Sequence, residues 1–65
     1  MELWDIEWFA GDGGVLEAQY GLDRVSAERQ ARTWLKDTPR SQVFLYRRRG
    51  ERSVLVQILT ADDET

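Results

Sequence analysis

The stretch Ser26 to Asp37, SAERQARTWLKD, reads as a short amphipathic helix, and the rest of the chain must supply something for it to cover. Ala27, Ala31, Trp34 and Leu35 recur at i, i+4, i+7 and i+8, the spacing that gathers side chains on one helical face. Arg29, Arg32, Thr33 and Lys36 fall on the other faces. Ser26 is expected as the N-cap, its hydroxyl accepting from an unpaired first-turn N–H. Glu28 in that turn and Lys36 in the last suit the helix dipole. Pro39 sets the stop, because it pushes Thr38 towards extended backbone. A helix of about three turns is marginal alone, so tertiary packing has to hold it.

The flanking segments alternate with a period of two, the mark of strands buried on one face. ELWDIEWF (2–9) places Trp4, Ile6 and Trp8 on one side and Asp5 and Glu7 on the other. Ala10 to Gly14 is a turn, and VLEAQY (15–20) alternates again. With Gly13 in the left-handed position of a bulged three-residue loop, the pairs are Trp8–Leu16, Ile6–Ala18 and Trp4–Tyr20. Every inward residue then meets an inward residue, which a one-residue slip would undo. Ser41 to Arg48 and Ser53 to Thr60 form a second hairpin. A bulged loop with Gly50 left-handed pairs Arg47 with Glu51, Tyr46 with Arg52, Phe44 with Val54 and Gln42 with Val56. A type I′ turn at Arg49-Gly50 is the alternative, at the cost of positive φ on an arginine.

The expected fold is therefore α+β: ββαββ, a four-stranded antiparallel sheet in the order 2-1-3-4 with the helix on one face. Residues 1–60 make one domain, and 61–65 an acidic, frayed tail.

Sixty-five residues without cysteine or histidine have neither a disulfide nor a Cys- or His-based metal site. No cofactor, metal or small-molecule substrate is expected, and no enzyme, since no nucleophile–base arrangement is visible. The net charge of −3 gives no general attraction to nucleic acid or anionic lipid. No apolar run approaches the roughly 18 residues of a spanning helix, and the acidic, alternating start is unlike a signal peptide. A cytoplasmic protein is expected.

One helix covers one side of a sheet. In the register above, Val43, Leu45, Leu55 and Leu59 line the other side, more apolar than a water-facing sheet should be. If the second hairpin takes the opposite register, Phe44 and Tyr46 become the outer patch instead. These leucines and Val43, with Arg47, Arg48, Arg49 and Arg52 at the hairpin tip, are the candidate partner-binding residues, for a partner protein or a second copy in a homodimer. The four arginines also fit a β-ribbon that contacts phosphates, the alternative function, or a solvated turn that protects a sheet edge. The Gly11–Gly14 stretch lacks the helix and Lys-Ser/Thr pair of a phosphate loop and reads as a plain turn. Asp5 and Glu7, about 7 Å apart at strand spacing, read as solvated charges. Trp4, Trp8 and Trp34 read as core.

The layout YGLDRVSAERQARTWLKD followed by an arginine-rich hairpin resembles small uncharacterised proteins of actinobacteria and their phages. The likeness spans the middle and C-terminal two-thirds of the chain. It implies a small accessory protein that binds a host protein.

Overall fold

A computed structural model describes residues 2–61. Its elements are β1 (Leu3–Phe9), β2 (Val15–Leu22), α1 (Arg24–Asp37), β3 (Gln42–Arg49) and β4 (Arg52–Thr60). The sheet is antiparallel throughout, in the expected order β2-β1-β3-β4. Two hairpins joined by a helix reach this order simply. Strand β2 ends beside Trp4, and β3 starts beside Phe9, so α1 must carry the chain the length of the sheet. Fourteen residues of helix rise about 21 Å, close to the roughly 23 Å of seven-residue β1. No helix among the described residues is long and apolar enough to cross a membrane.

The helix starts a turn earlier than Ser26. Asp23 is the N-cap, and its Oδ1 accepts from the Ser26 N–H at 2.7 Å. Asp caps as well as Ser, and β2 delivers the chain straight to it. Glu28 consequently lies beyond the first turn and pairs with Arg24 at 3.1 Å, an i,i+4 contact. The stop is as expected: Thr38 donates its N–H to the Trp34 carbonyl at 2.9 Å, ahead of Pro39.

Ala27, Ala31, Trp34 and Leu35 are buried against Trp4, Ile6, Val43 and Leu45. The alanines let the helix approach the two central strands closely. At its far end Trp34 stacks on Trp8, with ring centroids 5.2 Å apart and planes 2° from parallel. Trp8 Nε1 donates to Ser41 Oγ at 2.7 Å, and that hydroxyl donates to the Thr38 carbonyl at 2.6 Å. The indole thus ties the sheet to the helix exit. At the near end the Arg24 guanidinium lies 5.4 Å from the Trp4 ring centre, a cation–π contact.

The first turn is the bulged three-residue loop that the glycines imply. Ala10 N–H donates to Gly14 O at 2.7 Å, Gly13 N–H donates to Ala10 O at 2.8 Å, and Gly13 has φ 94°. The pairing then departs from expectation. Phe9 faces Val15, but Trp8 faces Glu17, Ile6 faces Gln19 and Trp4 faces Leu22. Two bulges, at Leu16 and at Tyr20-Gly21, account for the shifts. The helix packs on β1 and β3, so the helix side of β2 is a wet margin that accepts Glu17 and Gln19. The second bulge brings Leu22 in against the core.

The second hairpin takes the opposite register to the one favoured from sequence. Ile6 faces Leu45 and Trp8 faces Val43, so Val43 and Leu45 point to the helix, 0% and 2% exposed. Phe44 and Tyr46 point away. The turn is neither the bulged loop nor a type I′ turn: Arg49 pairs with Arg52 across Gly50-Glu51. Gly50 has φ 59° and, among the described residues, only glycines have positive φ, the type II′ pattern with glycine first. Three tryptophans already fill the space beside the alanine face. The smaller Val43 and Leu45 fit beneath it and two further aromatic rings would not.

Gly11 marks a close approach between the first turn and the α1–β3 loop. A Cβ there would lie 2.6 Å from the Arg40 carbonyl oxygen, and backbone cannot swing aside. Gly11→Ala is expected to destabilise the domain by about 1–3 kcal/mol, as overpacking does. Against a total of about 3–10 kcal/mol for a chain this size, thermal or urea unfolding will resolve the loss; an unchanged midpoint would contradict the contact.

Candidate partner-binding face

The side of the sheet opposite α1 carries Leu3, Asp5, Glu7 and Phe9 from β1 and Phe44, Tyr46 and Arg48 from β3. Strand β4 adds Ser53, Leu55 and Ile58, and β2 adds Val15 and Ala18. Phe9 and Phe44 meet edge to face, centroids 4.9 Å apart at 62°. Val15, Leu55 and Ile58 are exposed. Asp5, Glu7, Tyr20, Tyr46 and Ser53 line a shallow depression of about 210 Å³. Tyr20, 62% exposed, forms its outer wall.

Asp5 is the buried exception on this face, at 4% exposure. Its Oδ1 accepts from the Gly21 N–H at 2.9 Å and from Arg48 Nη2 at 2.6 Å. Its Oδ2 accepts from Arg48 Nε at 3.0 Å and from Ser53 Oγ at 3.2 Å. These partners come from β2, β3 and β4, so one carboxylate on β1 links the whole sheet. Burial pushes its pKa up, but the Gly21 and Arg48 bonds outweigh burial and hold the carboxyl below its ordinary value of 3.8. The second Tyr20-Gly21 bulge serves this bond, since it turns the Gly21 N–H towards Asp5.

Glu7 sits two residues along on the same face, beside Tyr46. Burial and the Glu7 carboxylate, which accepts from the phenol, push the Tyr46 pKa above its usual value. Asp5 is neutralised by Arg48, so the centre of the face keeps one negative charge, on Glu7, between two tyrosine rings.

The expected site residues separate. Val43 and Leu45 are core and cannot meet a partner. Leu59 faces Val43 on the helix side and packs against the core. Leu55, opposite Tyr46, does lie on the open face. Arg48 is bound to Asp5 in a bidentate pair. Arg47 faces Trp4 on the helix side, its buried Nε 3.8 Å from Glu2 Oε2 and without a hydrogen bond. Arg49 and Arg52 remain exposed at the turn. Asp5 and Glu7 are no acid–base pair, because Asp5 is committed to Arg48. The three tryptophans belong to the helix–sheet packing, and no carboxylate cluster fit for a metal occurs among the described residues. The acidic tail, 62–65, lies outside the described residues.

Arg48→Ala leaves the Asp5 carboxylate buried without its counter-charge and is expected to cost about 2–4 kcal/mol, below the loss for a fully buried pair because the arginine is partly exposed. In the wild type the folded Asp5 pKa is depressed. Its contribution is therefore complete above the ordinary carboxyl range and is lost as pH falls through the lower folded value. Urea unfolding from pH 7 downwards should show a larger acid-side loss in the wild type than in Arg48→Ala, where the capping carboxylate of Asp23 still contributes; equal stabilities at neutral pH would refute the clamp.

No family model, curated protein or solved structure matches this chain.

Proposed function

We propose that this domain is a non-catalytic protein-binding module, and that its partner covers the open face of the sheet. The observation that carries this reading is the uncovered group of Phe9, Phe44, Tyr46, Tyr20, Leu55 and Ile58 around Glu7. The molecule measures 32 by 22 Å in its two long directions. Those dimensions bound the face from above, on the scale of the ~800 Å² each partner contributes to a standard interface. Aromatic side chains with few charges at the centre match the composition of interface cores.

Charge selects the partner's chemistry. Packing this face on its own copy through a central two-fold would set Glu7 against Glu7, a like-charge contact that disfavours association. A protein surface that offers an apolar patch and one arginine or lysine fits better, the cation seated between Tyr20 and Tyr46 on Glu7. The nucleic-acid alternative is weakened because Arg48 is committed to Asp5 and Arg47 lies on the helix side of the sheet, which leaves Arg49 and Arg52 exposed at the turn for phosphates. A chain without cysteine has no need of an oxidising compartment, which fits a cytoplasmic setting.

Affinity capture from a lysate of the source organism, with the retained protein identified and re-tested in pure form, checks the proposal. Tyr20→Ala with Glu7→Lys is expected to weaken binding at least tenfold, about 1.4 kcal/mol, while Arg49→Ala with Arg52→Ala leaves it unchanged. Binding lost on the arginine changes and steeply reduced by salt would favour nucleic acid or an acidic partner instead.

A further inference from the structure

We propose that the depression beside Glu7 is a recognition site for one arginine side chain of the partner protein, its guanidinium held between the Tyr20 and Tyr46 rings and paired with the Glu7 carboxylate. The site belongs to the open face, so it rests on the reading of that face as the binding surface.

The charge, the walls and the size of the depression all suit a single cation. Asp5 and Glu7 both line it, and Arg48 is committed to Asp5 through a bidentate pair. The negative charge left over is on Glu7, which has no ion pair among the described residues. Glu7 is half-buried, so water and salt screen it less than an exposed surface carboxylate. The walls come from the strands on either side. β2 and β3 flank β1, and at about 4.8 Å per strand they lie about 10 Å apart. Tyr20 rises from one and Tyr46 from the other, and both line the depression. A cation centred over β1 then lies about 5 Å from each wall, inside the roughly 6 Å reach of a cation–π contact. The volume of about 210 Å³ is on the scale of one side chain, below the ~300 Å³ at which small-molecule pockets begin.

Arginine suits the site better than other cations. A guanidinium is planar, stacks on aromatic faces and is weakly hydrated. In a depression open to water, a lysine ammonium keeps its hydration shell and presents no flat surface to the rings. The Glu7 carboxylate accepts from the Tyr46 hydroxyl and keeps lone pairs for the N–H groups of a guanidinium. A quaternary ammonium has no N–H to offer them. Phe44, opposite Glu7, and Leu55, opposite Tyr46, provide apolar surface beside the site for the methylene stem.

N-acetylarginine methylamide and its lysine and citrulline counterparts, titrated into the full chain and followed by NMR at the Tyr20 and Tyr46 rings, test the site. The arginine compound should bind with a dissociation constant on the order of a millimolar. The lysine compound should bind about fivefold more weakly or worse, and citrulline, of the same shape but uncharged, should give no saturable shift. Glu7→Gln, which keeps the shape of the side chain, should weaken arginine binding about tenfold or more, while Arg49→Ala with Arg52→Ala leaves it unchanged. The comparison of compounds on the wild type needs no variant. Equal binding of the arginine and citrulline compounds overturns the proposal, and so does undiminished arginine binding to Glu7→Gln. A partner protein that is lost on Leu55→Glu yet held as tightly by Glu7→Gln also overturns it, and leaves the binding-module reading standing. Arginine bound at the rings with no protein captured by the open face supports the site and sinks that reading instead.

Discussion

The structure depends on how little sheet one helix can cover. Helix α1 is wide enough for two strands, and its alanines seat it on β1 and β3. Everything beyond that footprint has to be stabilised by other means. On the helix side the margin is polar at β2. On the far side Asp5 does what a second helix would otherwise do, linking four strands through a single charged group. Burying a carboxylate is costly, and its four hydrogen bonds, two of them from the bidentate arginine, are what make it tolerable.

Polar linkage and apolar exposure are therefore two sides of one arrangement. The Asp5–Arg48 pair fixes the end of the sheet near the second turn. Towards the first turn, the same face turns over to Phe9, Phe44 and Ile58. The face is cross-linked where it is charged and open where it is apolar.

The expected strand order matches the structure, but the sequence pattern does not fix it: 2-1-3-4 rests only on a preference for a central Trp-bearing strand and all-antiparallel pairs. The helical face was legible because Ala27, Ala31, Trp34 and Leu35 have no competing pattern. The faces of β3 were not legible: Val43 and Leu45 alternate with Phe44 and Tyr46, apolar on both sides, and hydrophobicity alone favours the larger rings. Only the volume left beside Trp4, Trp8 and Trp34 decides for the smaller pair. The β2 register failed for another reason. Bulges at Leu16 and Tyr20-Gly21 answer to needs of the tertiary structure, the Asp5 bond above all, that lie outside the hairpin. An open apolar face was readable, whereas most of its residues followed β3 and changed with it. The one available sign of the clamp was an aspartate amid buried tryptophans, with an arginine far along the chain to match it.

The Trp8–Trp34 pair has a use beyond packing. Two indoles lying parallel 5.2 Å apart, one on the sheet and one on the helix, are brought together by the docking of the two layers. Their near-ultraviolet absorption and fluorescence therefore answer to docking rather than to helix or strand content. The molecule thus carries an internal optical gauge of whether its two layers are together, with no label required.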